Sequence, residues 1–259
     1  SSSGVGAATA IKLAKAGAKV VITGRYALKL NAVSNECLKV SPNKLKPLEV
    51  MADITVDDDC KRLVQTTVEK FGKIDILVNY CAFKEVTYFT DKDFVHKFRH
   101  TFDLTLKSLV FITHLCVEHL EATKGVVVNI SSGASFQTTP GYGPHCMAKS
   151  ALDMFTRCMA AKLALKGIRV NSINHGALVD YQFTLPNGSR KRKRKLEADA
   201  VAEGYGRQYP VGRPGTGDDV GNAVLYLASK NSSFVTGINF IVDGGHLAAG
   251  IAPIVKLTI

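Results

Sequence analysis

Two short segments, NISS at residues 129–132 and YGPHCMAK at residues 142–149, decide how this chain folds. The β-branched run at 126–128, directly before the first segment, predicts a buried strand. A Pro-Gly turn and then a helical pattern from about residue 144 to 165 follow it. Open α/β sheets bind ligands at the carboxyl ends of their strands. We therefore expect Ser132, at the strand end, and Lys149, one turn into the helix, to face one crevice.

The rest of the chain alternates between strand and helix patterns, with no internal repeat and no low-complexity linker. This alternation predicts one domain over residues 1–259, built on a single Rossmann-type doubly wound parallel sheet with helices on both faces. The chain opens inside a glycine-rich turn, so we expect the first strand of that α/β fold to be missing. The other predicted strands lie at Lys19–Thr23, Leu48–Met51, Gly72–Asn79, Gly167–Asn174 and Phe234–Gly245.

Composition narrows the classes of function. Hydrophobic residues make up 46% of the chain, which is enough for a sizeable core. No stretch approaches the roughly 18 apolar residues of a membrane span, so a membrane partner is not expected. The six cysteines are scattered without metal-ligand spacing, which favours a reducing, cytoplasmic setting and no metal site.

The basic charge of the chain is largely local. The net charge is +11, and Arg190–Lys195 supplies six consecutive basic residues. Six adjacent like charges are typical of a solvated loop. An anionic partner is the alternative, namely an acidic substrate, nucleic acid or a nuclear-import receptor. No aromatic residues interleave the run, which argues against a stacking platform for single strands.

The sequence SSSGVG at residues 1–6 leads into a helix pattern. Such a turn lets backbone N–H groups and the helix dipole approach a phosphate, although an ordinary tight turn is the alternative. After the strand at 19–23, Gly24 stands where dinucleotide folds carry an acid for the ribose 2′-hydroxyl, and Arg25 follows. An arginine there accommodates a 2′-phosphate, so the sequence favours NADP(H) over NAD(H).

Together these segments resemble the classical short-chain dehydrogenases/reductases over essentially the whole chain. Residues 1–6 resemble the last six positions of the family's T-G-x-x-x-G-x-G turn. Ser132 and Lys149 match the family's strand-end serine and the lysine of its Tyr-x-x-x-Lys motif, but His145 stands at the tyrosine position. Residues 169–174 and 236–245 also resemble family signatures.

The resemblance implies roles for individual residues. Ser132 would polarise a substrate carbonyl, His145 would stand in for the proton-transferring tyrosine, and Lys149 would act on that residue and hold the ribose. Thr105 stands at the family's active-site asparagine. The implied cofactor-binding residues are Ser1, Ser3, Gly4, Val5, Gly6, Arg25, Asp53, Ile54, Asn79, Lys149, Gly176 and Leu178.

These features predict an NADP(H)-dependent oxidoreductase acting on a small-molecule carbonyl or secondary alcohol, with impaired activity. A positive charge at Lys149, one turn from His145, disfavours the protonated imidazole, and a neutral imidazole is a poor proton donor. A non-catalytic dinucleotide-binding or scaffolding relative is the alternative. The positions that depart from the family pattern around the site are Ala82, Thr105, His145, His175 and Asp180.

The resemblance also implies a substrate lid at about residues 178–210 and an assembly of two or four copies. The predicted helices at 92–121 and 144–165 are apolar on more than one face, and such helices must be covered. In the family these two helices are buried between subunits. We therefore expect a homodimer or homotetramer.

Overall fold

The computed structural model describes residues 1–81, 85–138, 140–179, 204 and 208–250. Ala82, Asp180 and the basic run 190–195 lie outside the described residues, as do most of the expected lid and residues 251–259.

Helices and strands alternate along the described chain, as the sequence predicts. The helices are α1 (Gly4–Lys15), α2 (Ala27–Val40), α3 (Asp57–Phe71), α4 (Phe94–Phe102), α5 (Ser108–Thr123), α6 (Gly143–Leu163) and α7 (Gly217–Ala228). The strands are β1 (Val21–Gly24), β2 (Leu48–Met51), β3 (Ile76–Asn79), β4 (Val126–Ser132), β5 (Arg169–His175) and β6 (Asn239–Val242). None of the helices in the described ranges is both long and apolar enough to cross a membrane.

All paired strands run parallel, which confirms the predicted α/β fold. They form two sheets in the described residues, one of order β1-β2 and one of order β3-β4-β5-β6. The segment Ser1–Gly6 contacts the carboxyl ends of both sheets. The Ser1 nitrogen donates a hydrogen bond to the Thr23 carbonyl, and a Cβ at Gly6 would lie 3.2 Å from the Tyr80 ring.

Strand β4 separates two apolar layers because its side chains alternate between the faces of the sheet. Val127 packs with residues of α3, α5 and α6 on one face. Val128 and Ile130 pack with Val5 of α1 and with α7 on the other face. Every residue of β4 is buried, as expected for a parallel strand covered by helices on both sides.

The helix predicted at 92–121 is helical throughout α4 and α5, but its hydrogen-bond pattern changes in the middle. Between α4 and α5 it forms a single π-helical turn at Asp103–Lys107. The Thr101, Thr105 and Ser108 hydroxyls each donate to the carbonyl four residues earlier. Such back-bonding bends helices, and π turns are frequent at functional sites.

Buried amides join the sheet to two helices on the α5–α6 side. The Asn79 side-chain nitrogen donates to Thr113 Oγ1 at 2.8 Å and to Asn129 Oδ1 at 2.9 Å. The Asn129 nitrogen donates in turn to Thr156 Oγ1 at 2.9 Å. This network links α5, β3, β4 and α6 through buried side chains.

We expect Asn129→Ala to lower the free energy of unfolding by about 2 kcal/mol, because two buried hydrogen bonds are lost together. Chemical denaturation measures this change. Asn35→Ala removes an exposed amide from α2 and serves as the control, with almost no effect expected. Equal stability of both variants would show that the network contributes nothing.

Candidate active site

Ser132 ends β4, and its side chain is fixed by the next residues. Its Oγ accepts a hydrogen bond from the Ala134 amide at 3.2 Å and caps the 3-10 turn Gly133–Ser135. A serine hydroxyl carries one donor and two acceptor positions. Because the Ala134 contact uses an acceptor position, the hydroxyl proton remains available to a carbonyl oxygen of a substrate.

Lys149 lies on α6 and is only 3% exposed. Its ammonium nitrogen donates to the carbonyl oxygen of Ile130 at 2.8 Å. The contact places the charge of α6 at the carboxyl end of β4, two residues before Ser132. The structure therefore brings Ser132 and Lys149 to one edge of the sheet, where the sequence predicts them.

His145 occupies the first turn of α6 and is 5% exposed. Pro144 precedes it at the start of the helix, where a proline needs no hydrogen-bond partner for its nitrogen. One helical turn separates His145 from Lys149, so both side chains lie on the same side of α6. An imidazole is therefore present on the side of α6 that carries Lys149.

Thr105 lies in the π turn, which packs against α6, and it is fully buried. Its hydroxyl proton is directed to the Thr101 carbonyl, so only its oxygen lone pairs remain to accept a further hydrogen bond. Sequence reasoning identified this position but not the π turn that carries it.

The first turn of α1 has the features of an anion site. Ser3 is the N-cap and makes no side-chain capping bond, so the first amides of the helix are not used by a cap. The side chain of Val5 packs in the core against α7. At the helix end, Val5 can therefore offer an anion only its backbone N–H. Gly4 has φ +53°, a conformation that glycine adopts easily.

Glycine also allows close packing within this turn and against β1. A Cβ at Gly6 would lie 3.1 Å from the Ser1 Cα, and one at Gly24 would lie 3.0 Å from Ser2 Oγ. The turn is therefore packed directly against the strand that leads to Arg25. This places the predicted phosphate-binding turn and the predicted 2′-phosphate ligand side by side.

Arg25 projects from the end of β1, and its side chain is 60% exposed. Its guanidinium lies 3.8 Å from the carboxylate of Asp53. Burial opposes ionisation of Asp53, but hydrogen bonds from Thr55 and the charge of Arg25 outweigh it and hold the pKa of this carboxyl below its ordinary value. The ion pair orients Arg25, and its exposure leaves the guanidinium accessible to an anion.

Two further predicted cofactor residues point their side chains into the protein. Ile54 packs against the apolar layer on the α3 side, and its carbonyl accepts the thiol of Cys60 at 3.2 Å. The Asn79 side chain belongs to the buried amide network with Thr113 and Asn129. In this conformation the side chain of Asn79 is committed to the network, and that of Ile54 is partly buried.

The thiol of Cys81 is influenced by charges at both ends of the predicted site. Burial raises the pKa of its thiol, whereas the charges of Lys149 and Arg25 act in the opposite direction. Both cations are thus near the same side chain. The reacting edge at Ser132 and the turn at 1–6 are parts of one region.

Tyr209 closes the far side of this edge, and sequence reasoning missed it. Its hydroxyl accepts from the Ala177 amide at 2.7 Å, and a Cβ at Gly176 would lie 3.1 Å from the same oxygen. Leu178 pairs with Gly215 through an isolated parallel bridge. Gly176 and Leu178 are therefore held in place by contacts from residues about 35 positions later in the chain.

Comparison with known proteins identifies consistent relatives. The family model described as enoyl-(acyl carrier protein) reductase matches residues 1–246. Versicolorin reductase 1 from Dothistroma septosporum is 29% identical over 255 residues, covering 93% of this chain and 91% of that protein.

Solved structures agree with these matches. A short-chain dehydrogenase/reductase of unknown function from Caenorhabditis elegans, solved with its cofactor, superposes with a TM-score of 0.84 at 32% identity, covering 96% of this chain and 93% of that one. 7α-Hydroxysteroid dehydrogenase in complex with NADH and 7-oxoglycochenodeoxycholic acid gives a TM-score of 0.81 at 28% identity, covering 94% and 90%.

We expect Tyr209→Phe to loosen the Gly176–Val179 segment, because the Ala177 amide loses its acceptor. Hydrogen exchange at the Ala177 amide should become at least tenfold faster, the equivalent of about 1.4 kcal/mol, which is the size of one lost hydrogen bond. Tyr26→Phe, at an exposed ring, is the control. An unchanged exchange rate at Ala177 would mean that Tyr209 does not hold this segment.

Proposed function

This chain belongs to the short-chain dehydrogenase/reductase family, and on that premise we propose that it transfers a hydride between NADP(H) and a carbonyl compound or secondary alcohol. The family consists of oxidoreductases that act on carbonyl and alcohol substrates with nicotinamide dinucleotide cofactors. The choice of NADP(H), the reduced activity and the residue roles below are our proposals.

One observation carries the proposal: Ser132 and the buried ammonium of Lys149 meet at the sheet edge that also holds the uncapped start of α1. Function depends on the site rather than on the fold. A helix N-terminus beside a hydroxyl and an ammonium suits a phosphate-bearing cofactor and an oxygen-centred reaction.

The residues at the cofactor end fit a dinucleotide phosphate. The free amides of the first turn of α1 suit a pyrophosphate, since they are donors at the positive end of a helix dipole. The exposed guanidinium of Arg25 suits a 2′-phosphate through charge-assisted hydrogen bonds. Asp53 lies beside it and would weaken this attraction in part, so the preference should be finite rather than absolute.

Each residue of the reacting half has a distinct task. A nicotinamide cofactor held beside these residues would supply or accept the hydride. The Ser132 hydroxyl, with its proton unused by the Ala134 contact, donates to the substrate oxygen and stabilises charge that develops there. The Lys149 ammonium adds positive charge at the same edge and disfavours a second positive charge on His145.

His145 sets the direction and speed of the reaction. A neutral imidazole accepts a proton from an alcohol, whereas reduction needs a donor at that position. We therefore propose slow carbonyl reduction and a bias toward alcohol oxidation. In the non-catalytic alternative, the same departures from the family pattern mean that the chain has lost catalysis but still binds a dinucleotide.

We also propose that the chain works as a homodimer or homotetramer. Met147 and Met154 lie two helical turns apart on one side of α6 and are exposed, and Val95 of α4 is exposed as well. Covering such side chains is favourable at about 25 cal/mol per Å² of apolar surface.

Arg25→Ala should reduce the preference for NADPH over NADH by one to two orders of magnitude. That range corresponds to about 1.5–3 kcal/mol for a charge-assisted hydrogen bond to the 2′-phosphate. Fluorescence titration with both cofactors measures it, with Lys61→Ala on α3 as the exposed-cation control. Equal affinity of the parent protein for the two cofactors would contradict the proposal.

His145→Tyr should accelerate NADPH-dependent carbonyl reduction by about 10²–10⁴-fold, which is the usual contribution of a positioned acid or base. Steady-state rates on a panel of ketones and secondary alcohols provide the measurement. Lys61→Tyr adds the same ring at an exposed position of α3, away from the proposed site and the proposed interface, and should change little.

Two results would count against this account of His145. Fast reduction by the parent protein would show that His145 is an effective acid. A variant that binds NADPH but gains no activity would favour the non-catalytic alternative.

A further inference from the structure

A buried carboxyl group lies one helical turn beyond Lys149. Asp153 is 4% exposed, and its Oδ2 accepts a hydrogen bond from the Asn174 side-chain nitrogen at 2.6 Å. Its Oδ1 is buried and has no hydrogen-bond partner among the described residues. Burying a carboxyl group with a single hydrogen bond lowers the stability of the folded protein, so such a group in a native structure calls for an explanation.

Asn174 is the centre of this contact. It is fully buried on β5, directly opposite Ser131 of β4. Besides Asp153, its side-chain nitrogen lies 2.9 Å from Ser135 Oγ and 3.3 Å from the Ser132 carbonyl oxygen. Its Oδ1 accepts the Ser172 hydroxyl at 3.0 Å.

The residues that Asn174 contacts form the turn that fixes Ser132. The Ser135 hydroxyl donates back to the Ser132 carbonyl at 2.8 Å. Ser150 of α6 donates to the Ser135 carbonyl at 3.1 Å. The same turn places the Ala134 amide on Ser132 Oγ. The position of the reactive hydroxyl therefore depends on how this turn is held between β5 and α6.

An asparagine side chain can rotate by half a turn and exchange its oxygen and its nitrogen. A carboxylate only accepts hydrogen bonds, so Asp153 selects the orientation with the Asn174 nitrogen toward it. In that orientation the same N–H₂ group faces the Ser132 carbonyl and Ser135. In the reversed orientation an amide oxygen would face a carboxylate and a carbonyl, which repels both.

We propose that Asp153 is a positioning residue that, by orienting the Asn174 amide, holds the Gly133–Ser135 turn and thereby the Ser132 hydroxyl in its reactive place. The inference rests on the proposed oxidoreductase function of the same site. Asp153 and Lys149 share α6, so the helix that carries His145 and Lys149 also sets the position of Ser132. Displacements near 1 Å in such supports reduce turnover by up to about 100-fold.

Two variants of nearly unchanged volume test this. Asp153→Asn no longer dictates the orientation of Asn174. The swap Asp153→Asn/Asn174→Asp keeps a hydrogen bond between the pair, because an amide on α6 then meets a carboxylate on β5, but it turns a carboxylate oxygen toward the Ser132 carbonyl. Asp58→Asn, which removes an exposed acid on α3, is the control. Each change is made in the parent and in His145→Tyr.

Five quantities are measured for every variant: the dissociation constant of NADPH, kcat and KM for a ketone, the free energy of unfolding, and hydrogen exchange at the Ala134 amide. For Asp153→Asn we expect kcat to fall about 10- to 100-fold, faster exchange at Ala134 and an unchanged NADPH constant. The swap should recover the free energy of unfolding lost in Asp153→Asn but recover neither kcat nor slow exchange.

Recovery of kcat and of slow exchange by the swap would overturn the proposal, since the pair would then matter only for stability. Unchanged kcat and exchange in Asp153→Asn would overturn it too. If the parent and His145→Tyr bind NADPH but reduce nothing, the proposed function fails. The positioning claim is then decided by exchange at Ala134 in the two variants.

Discussion

The hydrogen bond from the Lys149 ammonium to the Ile130 carbonyl is the contact on which the site depends. An ammonium that is 3% exposed has lost most of its water, and it must be compensated inside the protein. The carbonyl that compensates it lies two residues before Ser132 at the end of β4. The contact therefore fixes helix α6 against the strand and sets where His145 and Asp153 lie, one turn to either side.

The two halves of the site are built in different ways. The proposed reacting half consists of buried side chains, and the hydrogen bonds of Ser132 and Lys149 are made with nearby backbone groups, as a preorganised site requires. The cofactor half consists of backbone amides at the start of α1 and an exposed guanidinium at Arg25. Changes of cofactor preference should thus be easy to make without loss of fold, whereas changes around β4 and α6 should affect stability and chemistry together.

Local patterns in the sequence were sufficient for the elements that carry the site. The strand at Leu48–Met51 is found with the predicted bounds, and α6 spans Gly143–Leu163 close to the predicted helix. A β-branched run or an apolar period of 3.6 residues is a property of neighbouring residues, which explains these successes. The separation of the parallel strands into two sheets and the π turn at Thr105 were not predicted. Hydroxyls that bond four residues back look the same in sequence as ordinary helix positions.

The remaining contacts depend on residues far apart in the chain. The Tyr209 hydroxyl accepts a hydrogen bond from the Ala177 amide, and Asp153 accepts one from the side chain of Asn174, 21 residues away. No period or spacing encodes such pairs, because they exist only when β5 and α6 have packed. The resemblance likewise placed Asn79 among the cofactor residues, and only the structure shows its side chain in the Asn129 network.

The proposed function requires that the carboxyl edge of this sheet binds a dinucleotide beside Ser132 and Lys149. A titration of the unmodified chain with NADPH, followed by nicotinamide fluorescence and by isothermal calorimetry, tests it most directly. We expect saturable binding at one site per chain, with competition by NADP⁺. The absence of saturable binding up to millimolar NADPH would contradict it.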